Sequence, residues 1–241
     1  MNRRMKMELM KMTMHEVNEY LKTSQTIIIP IGAIEEHSNA LPLGTDTITV
    51  EALAKRLGEI SNRIVGPTIN VGNCHSITYD FLGTISISPS TLVNYLKDYT
   101  TSLHKHGFRN FFFVNGHGGN IAPLRCSFDE LANTLTNSKF LVASWWLLED
   151  LKELYDNSGH AGRGEVSMIM YINKSLVKTE FLTEEKREIP RYYVTNDLAR
   201  KYITETGIIN DSQEGSYELG EKLFNASVEV MLKLLKHLEE S

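Results

Sequence analysis

Glu35, His37 and Asp46 fall within the stretch Gly32-Ala-Ile-Glu-Glu-His-Ser-Asn-Ala-Leu-Pro-Leu-Gly-Thr-Asp46, directly after the apolar run Thr26-Ile-Ile-Ile-Pro-Ile31. Carboxylates and imidazoles bind divalent cations and move protons, and these three follow a segment that reads as a buried strand. Strand ends in α/β proteins carry chemistry because the sheet fixes the backbone while the following loop is free to vary. Taken alone, Glu35 and His37 are better explained as part of a solvated acidic loop, where charged residues usually sit.

A second loop of the same kind reverses that preference. Val114-Asn-Gly-His-Gly-Gly-Asn120 leaves the apolar run Asn110-Phe-Phe-Phe-Val114 and projects His117 from a turn. Its three glycines admit positive backbone dihedrals and close approach of the chain to a ligand. A phosphate cradle would use the same residue type, but neither Gly-x-Gly-x-x-Gly spacing nor a Lys-Ser/Thr ending is present. A third cluster, Gly159-His-Ala-Gly-Arg-Gly-Glu-Val-Ser167, adds His160 and Glu165 ahead of the apolar Met168-Ile-Met-Tyr-Ile172. Glu165 by itself is also a helix first-turn acid favoured by the dipole.

Together the loops offer Glu35, His37, Asp46, His117, His160 and Glu165. Imidazole mixed with carboxylate, without Cys, suits Zn²⁺, Mn²⁺ or Fe²⁺ in an open catalytic site. So many donors exceed the needs of one tetrahedral ion. Two divalent metal ions sharing a carboxylate would use them, activating a water and polarising a substrate carbonyl, and Asp46 is the expected bridge.

The elements that must position these loops alternate. Thr13 caps a first helix to Leu21, with Glu16 at the capping-box position, and the strand Thr26 to Ile31 follows. A helix is expected over Thr47 to Ile60, extended segments near Arg63 to Val65 and Gly83 to Ile87, and a helix opened by Ser88-Pro89 that runs to His106. The strand Asn110 to Val114, a helix over Ala122 to Leu135, the strand Phe140 to Ala143 and an amphipathic helix from Tyr217 to Leu238 complete the pattern. Strands alternating with helices predict a three-layer α/β/α fold with a mainly parallel sheet. No repeat or long linker divides the chain, so a single domain over residues 1–241 is expected. The polar stretch Thr179 to Ser212 reads as a lid or an oligomer arm.

Composition bounds the function. The 241 residues are 41% apolar and carry 25 basic against 30 acidic side chains, a net charge of -5 that leaves no broad basic face for nucleic acid. No segment approaches the roughly 18 apolar residues that span a bilayer, and the charges of Met1 to Met14 lead into no apolar signal core. Two cysteines, Cys74 and Cys126, suit a reducing compartment and read as small core residues. The expectation is a cytoplasmic protein with a small-molecule substrate, binding neither nucleic acid nor membrane.

The motifs carry a resemblance. The creatininase (creatinine amidohydrolase) family shows Gly-x-x-Glu-Gln-His, Leu-Pro-Leu-x-Thr-Asp, Asn-x-His-Gly-Gly-Asn and His-Ala-Gly-x-x-Glu-Thr-Ser in that order. This sequence is similar in Gly32, Glu35 and His37, in Leu41-Pro-Leu43 with Thr45-Asp46, in Asn115 to Asn120, and in His160-Ala-Gly162 with Glu165 and Ser167. The resemblance implies a creatininase-like α/β fold, a binuclear metal centre and hydrolysis of a non-peptide C–N bond, in a cyclic amide or a formamide, within a homohexamer. It puts Glu35, His37, Asp46 and His117 on the family's metal positions and His160 on its catalytic, proton-moving histidine. Creatininase itself carries a glutamate ligand where this chain has Gly119, and Glu165 is the natural replacement. Relatives that hydrolyse a cyclic diketone of inositol breakdown, or a peptide in redox-peptide maturation, supply alternatives, as does a non-catalytic metal- or ligand-binding protein. Glu36 replaces the usual Gln, adding an acid expected to bear on substrate choice, and Arg163 stands where many members have Glu and is a candidate for meeting a substrate phosphate or carboxylate. Trp145 and Trp146 are candidates to cover the substrate or to pack in the core.

Overall fold

Runs of isoleucine and phenylalanine make the sheet. In the computed structural model, which describes residues 7–152, 154, 159–185, 187, 194–209 and 211–241, β1 (Thr26–Ile31), β2 (Ile64–Val65), β3 (Asn110–Asn115) and β4 (Lys139–Ser144) run parallel in the order β2-β1-β3-β4. All of β1 is buried, and all of β3 except Asn110, the mark of strands covered on both faces. Alternation along each strand sends Ile27, Ile29, Ile31, Phe111 and Phe113 to one core, and Ile28, Phe112 and Val114 to the other.

The first core packs under α1 (Met14–Leu21), α3 (Pro89–Lys105) and α4 (Ile121–Thr134) through Tyr20, Leu92, Leu96 and Leu124. The second packs under α2 (Thr45–Ser61), α5 (Arg163–Asn173) and α7 (Tyr217–Glu240) through Leu53, Leu57, Met168, Leu223 and Met231. These are the three layers expected, and each fully buried Ile, Leu or Phe contributes about 1.5–3 kcal/mol to holding them. A short turn, α6 (Asn196–Ala199), precedes α7 in the chain.

The local signals operate as read. Thr13 and Glu16 form a reciprocal capping box and Ser88 caps α3 ahead of Pro89. The structure adds a third cap, the Ser216 hydroxyl accepting from the Leu219 amide at the start of α7. Two expectations are corrected. Gly83 to Ile87 forms no strand, only an antiparallel bridge between Ile34 and Ile85. Helix α2 begins at Thr45 rather than Thr47, because the Ile48 amide already donates to the Gly44 carbonyl (2.8 Å); Asp46 therefore sits on the first turn of a helix, not on a loop. Arg3, Arg4 and Lys6 lie outside the described residues, as do 186, 188–193 and 210 of the polar stretch. No described helix is long and apolar enough to cross a membrane.

Register decides where the chemistry falls. Ile31, Asn115 and Ser144 are aligned across β1, β3 and β4, so the three following loops leave the sheet at one level. At the opposite end Glu239 accepts from the Thr26 hydroxyl (2.7 Å) and the Arg63 guanidinium, tying α7 to the start of β1.

Candidate metal centre

The loop after β3 is clamped before it presents anything. Asn115 accepts from the His117 amide (3.2 Å) and donates to the His117 carbonyl and the Ser144 hydroxyl (both 3.0 Å). Asn120 donates to the Gly32 carbonyl (2.9 Å) and accepts from the Asn73 amide (3.2 Å). The two asparagines of the motif thus bind the loops after β1 and β3 to each other. None of Gly116, Gly118 or Gly119 has a positive φ, contrary to the expectation that these glycines supply such dihedrals. Close approach is their use: a β-carbon on Gly119 would collide with the Asn73 carbonyl oxygen and come within 2.6 Å of His117 Nε2.

His117 is oriented by the same neighbour. Its Nε2 donates to the Asn73 carbonyl (2.9 Å), which leaves Nδ1 facing Glu35 Oε2 at 2.9 Å and Asp46 Oδ2 at 3.1 Å. His37 is set in the opposite sense: Nδ1 donates to the Glu35 carbonyl (3.0 Å), and Nε2 lies 3.1 Å from Asp46 Oδ1 and 3.6 Å from Glu165 Oε1. Asp46 therefore turns one carboxylate oxygen to each histidine. Glu35 also accepts from the Thr78 hydroxyl, and Glu165, on the first turn of α5, accepts from the Ala161 amide (2.6 Å).

His160 completes the group. Its Nε2 donates to the Glu36 carbonyl (2.5 Å), its Nδ1 is 3.8 Å from Glu35 Oε2, and its ring lies 4.3 Å from that of His37. All six residues named from the sequence are brought together. His37 is fully buried and Asp46, Glu35 and His117 are nearly so.

Burial on that scale penalises charge, so the charges must compensate one another. Burial would raise the Glu35 carboxyl, but the pull of His117 and then His160 overrides it and holds the group at about 2. Asp46 is likewise held below the usual carboxylate range, its burial outweighed by His37 and His117. Burial works against protonating the histidines, yet Asp46 and Glu165 raise His37 well above its ordinary value, and Glu35 with Asp46 does the same for His117. His160 is raised too, against burial and the nearby His37, by Glu35, Glu36 and Glu165.

The donor set fits divalent cations. His37 Nε2 and Asp46 Oδ2 are buried without a hydrogen-bond partner, although each has a group of opposite charge 3.1 Å away. Donor atoms of opposite charge that converge in a buried site are placed as ligands are. Glu35, His37 and His160 bring donor atoms within 4.8 Å of one another, as do His37, Asp46 and Glu165, and also Glu35, Cys74 and His117. Carboxylates gathered in a dry site call for positive charge, which two divalent ions would supply more compactly than imidazolium.

Beside the centre lies a cavity of about 570 Å³, with Ile77, Ile121, Pro123, Trp145 and Trp146 among its apolar walls and Asn73, Ser76 and Thr78 among its polar ones. Both tryptophans line it, and Trp145 also belongs to the core under α2, α5 and α7. Arg163 does not line it; its guanidinium turns to Glu214 (3.3 Å). The Glu36 side chain does not line this cavity; its Oε2 lies 3.6 Å from His160 Nε2 and its Oε1 against the Ser38 amide. Asn73, Cys74 and Thr78 are site residues that spacing alone missed, since they touch Glu35 and His117 only across loops. The Gly72-Asn-Cys-His75 run was the available signal.

Gly207 holds the far side of Glu36. Its φ is +77°, and a β-carbon there would strike the Glu36 carboxylate, while the neighbouring Ile209 amide donates to the His160 carbonyl (3.0 Å). Gly207→Ala is expected to lower stability by about 1–2 kcal/mol from the left-handed backbone alone. It should also slow turnover by displacing the Glu36 carbonyl that holds His160. An unchanged denaturation midpoint would show that the turn absorbs the added methyl.

Comparison with known proteins shows the family to which the chain belongs. The family model described as creatininase, creatinine amidohydrolase, matches residues 10–235. A mycofactocin precursor peptide peptidase of Mycolicibacterium smegmatis is 28% identical over 208 residues, 82% of this chain and 79% of that one. A creatinine amidohydrolase of Pseudomonas putida is 25% identical over 224 residues, 84% of this chain and 85% of that one. The solved structure "Creatininase Mn" superposes with a TM-score of 0.85 at 23% identity, covering 97% of this chain and 98% of that one.

Proposed function

This chain belongs to the creatininase family, whose members are hydrolases, and we propose that it cleaves an amide C–N bond in a cyclic amide or formamide at a two-metal centre. In this reading Glu35, Asp46 and His117 hold one divalent ion and His37, Asp46 and Glu165 the other, with Zn²⁺, Mn²⁺ or Fe²⁺ as the ion. The observation that carries it is the Asp46 carboxylate, one oxygen 3.1 Å from His37 and the other 3.1 Å from His117. Bound ions would supply Lewis-acid polarisation of the carbonyl and a water acidic enough to attack near neutral pH.

The chain's own groups do the rest. His160 Nε2 carries its hydrogen to the Glu36 carbonyl, so Nδ1 is the nitrogen free to take a proton from the attacking water and return it to the leaving nitrogen. Thr78 and Asn73 hold Glu35 and His117 in place, sparing the site reorganisation as charge develops. The apolar walls exclude water and accept the body of the substrate. We place the enzyme in the cytoplasm as one domain assembled into a homohexamer.

A peptide substrate is the second reading, favoured by the cavity: about 570 Å³ lies within the range of drug-sized ligands, far more than a small cyclic amide needs. Cyclic amides, formamides, short peptides and cyclic diketones assayed against Mn²⁺-, Zn²⁺- and Fe²⁺-loaded protein separate the readings. Turnover of amides or formamides supports the first, and turnover confined to peptides selects the second. Turnover confined to diketones makes the enzyme a C–C hydrolase, and no turnover with metal retained makes it a binding protein.

A further inference from the structure

We propose that Cys74 is a metal donor, its thiolate joining Glu35 and His117 around one of the two divalent ions. The inference rests on the two-metal reading above and adds to it a ligand of a different kind. Donor atoms of Glu35, Cys74 and His117 lie within 4.8 Å of one another. Cys74 is only 2% exposed, and it is buried beside the same two candidate ligands. Its backbone is pinned by the amide, which donates to the Ser86 hydroxyl (2.8 Å).

The residues on either side already serve the same two ligands. The Asn73 carbonyl orients His117, and the Thr78 hydroxyl, which donates to Glu35, also reaches the Cys74 carbonyl (3.5 Å). A separate observation marks the spot as a ligand position: Asp46 Oδ2, buried and without a hydrogen-bond partner, points at the same His117 nitrogen from 3.1 Å. Binding of a cation there would release the thiol proton to solvent as the metal–sulfur bond forms. A thiolate is a soft donor and biases this position toward Zn²⁺ over Mn²⁺.

Cobalt substitution of the full chain tests this without an activity assay. Co²⁺ bound to the native protein should show the near-ultraviolet charge-transfer band of a cobalt–thiolate bond beside its visible d–d absorption. In Cys74→Ala and Cys74→Ser the charge-transfer band should vanish while the d–d absorption persists. Cys126→Ser, which removes the exposed thiol on α4, should keep both. The zinc-over-manganese preference of Cys74→Ser should fall below that of the native protein. Cobalt bound without the band, or a band that survives in Cys74→Ala, would overturn the thiolate ligand and leave the two-metal reading standing. Failure of the native chain to bind cobalt, zinc or manganese would overturn both.

Discussion

Asp46→Asn is expected to abolish turnover and to reduce the metal content of purified, metal-replete protein from two ions per chain to one or none. The side chain keeps its volume on the first turn of α2, but a single amide oxygen replaces two carboxylate oxygens, each 3.1 Å from a different histidine. In the proposed arrangement Asp46 is the ligand shared by both ions. Loss of an outer-shell partner already costs roughly 10–100-fold in metal affinity or activity, so loss of a shared ligand should exceed that range. The measurements are elemental analysis and kcat on the same preparation. Two ions retained with activity within about tenfold of the native protein would remove Asp46 from the bridging position.

His160→Ala should separate chemistry from metal binding. General acid–base catalysis by a positioned side chain contributes typically 10²–10⁴-fold, and a loss of roughly that size in kcat is expected with metal content unchanged. The geometry supports the distinction, because Nε2 is committed to the Glu36 carbonyl and Nδ1 stands 3.8 Å from Glu35 Oε2. The contrasting variant is His37→Ala: His37 lies within hydrogen-bonding range of Asp46 and should take metal with it when removed. Since His160 also falls within one donor group with Glu35 and His37, equal loss of metal in His160→Ala would make it a ligand and transfer the proton-carrying role elsewhere. The pH profile gives an independent readout, since a proton carrier shapes its limbs and a structural histidine does not.

Much of this was legible before any coordinate. Alternation of buried runs with 3.6-residue periodicity predicts a parallel three-layer fold, and the capping residues Thr13 and Ser88 mark two helix starts because capping is a local hydrogen bond. Element edges were less secure. Gly83 to Ile87 reads as extended from composition, yet Ile85 finds only the single antiparallel bridge to Ile34, since strand pairing depends on a distant partner.

By itself the sequence determined which residue types gather and in what order. Glu35 and His37 follow β1, His117 follows β3, and Glu165 opens α5, because buried runs and helix-start signals are properties of adjacent residues. Only the tertiary structure decided how they face one another. It turned the two oxygens of Asp46 to different histidines, placed Glu36 behind His160, and brought Cys74 beside Glu35 and His117. It also supports the proposal that Glu165 serves as a ligand. The loop at Asn73 occupies the space a side chain on Gly119 would need, while α5 delivers a carboxylate oxygen 3.6 Å from His37. Such relations join residues far apart in the chain, and nothing short of the packed sheet and its register places them within ångströms of each other.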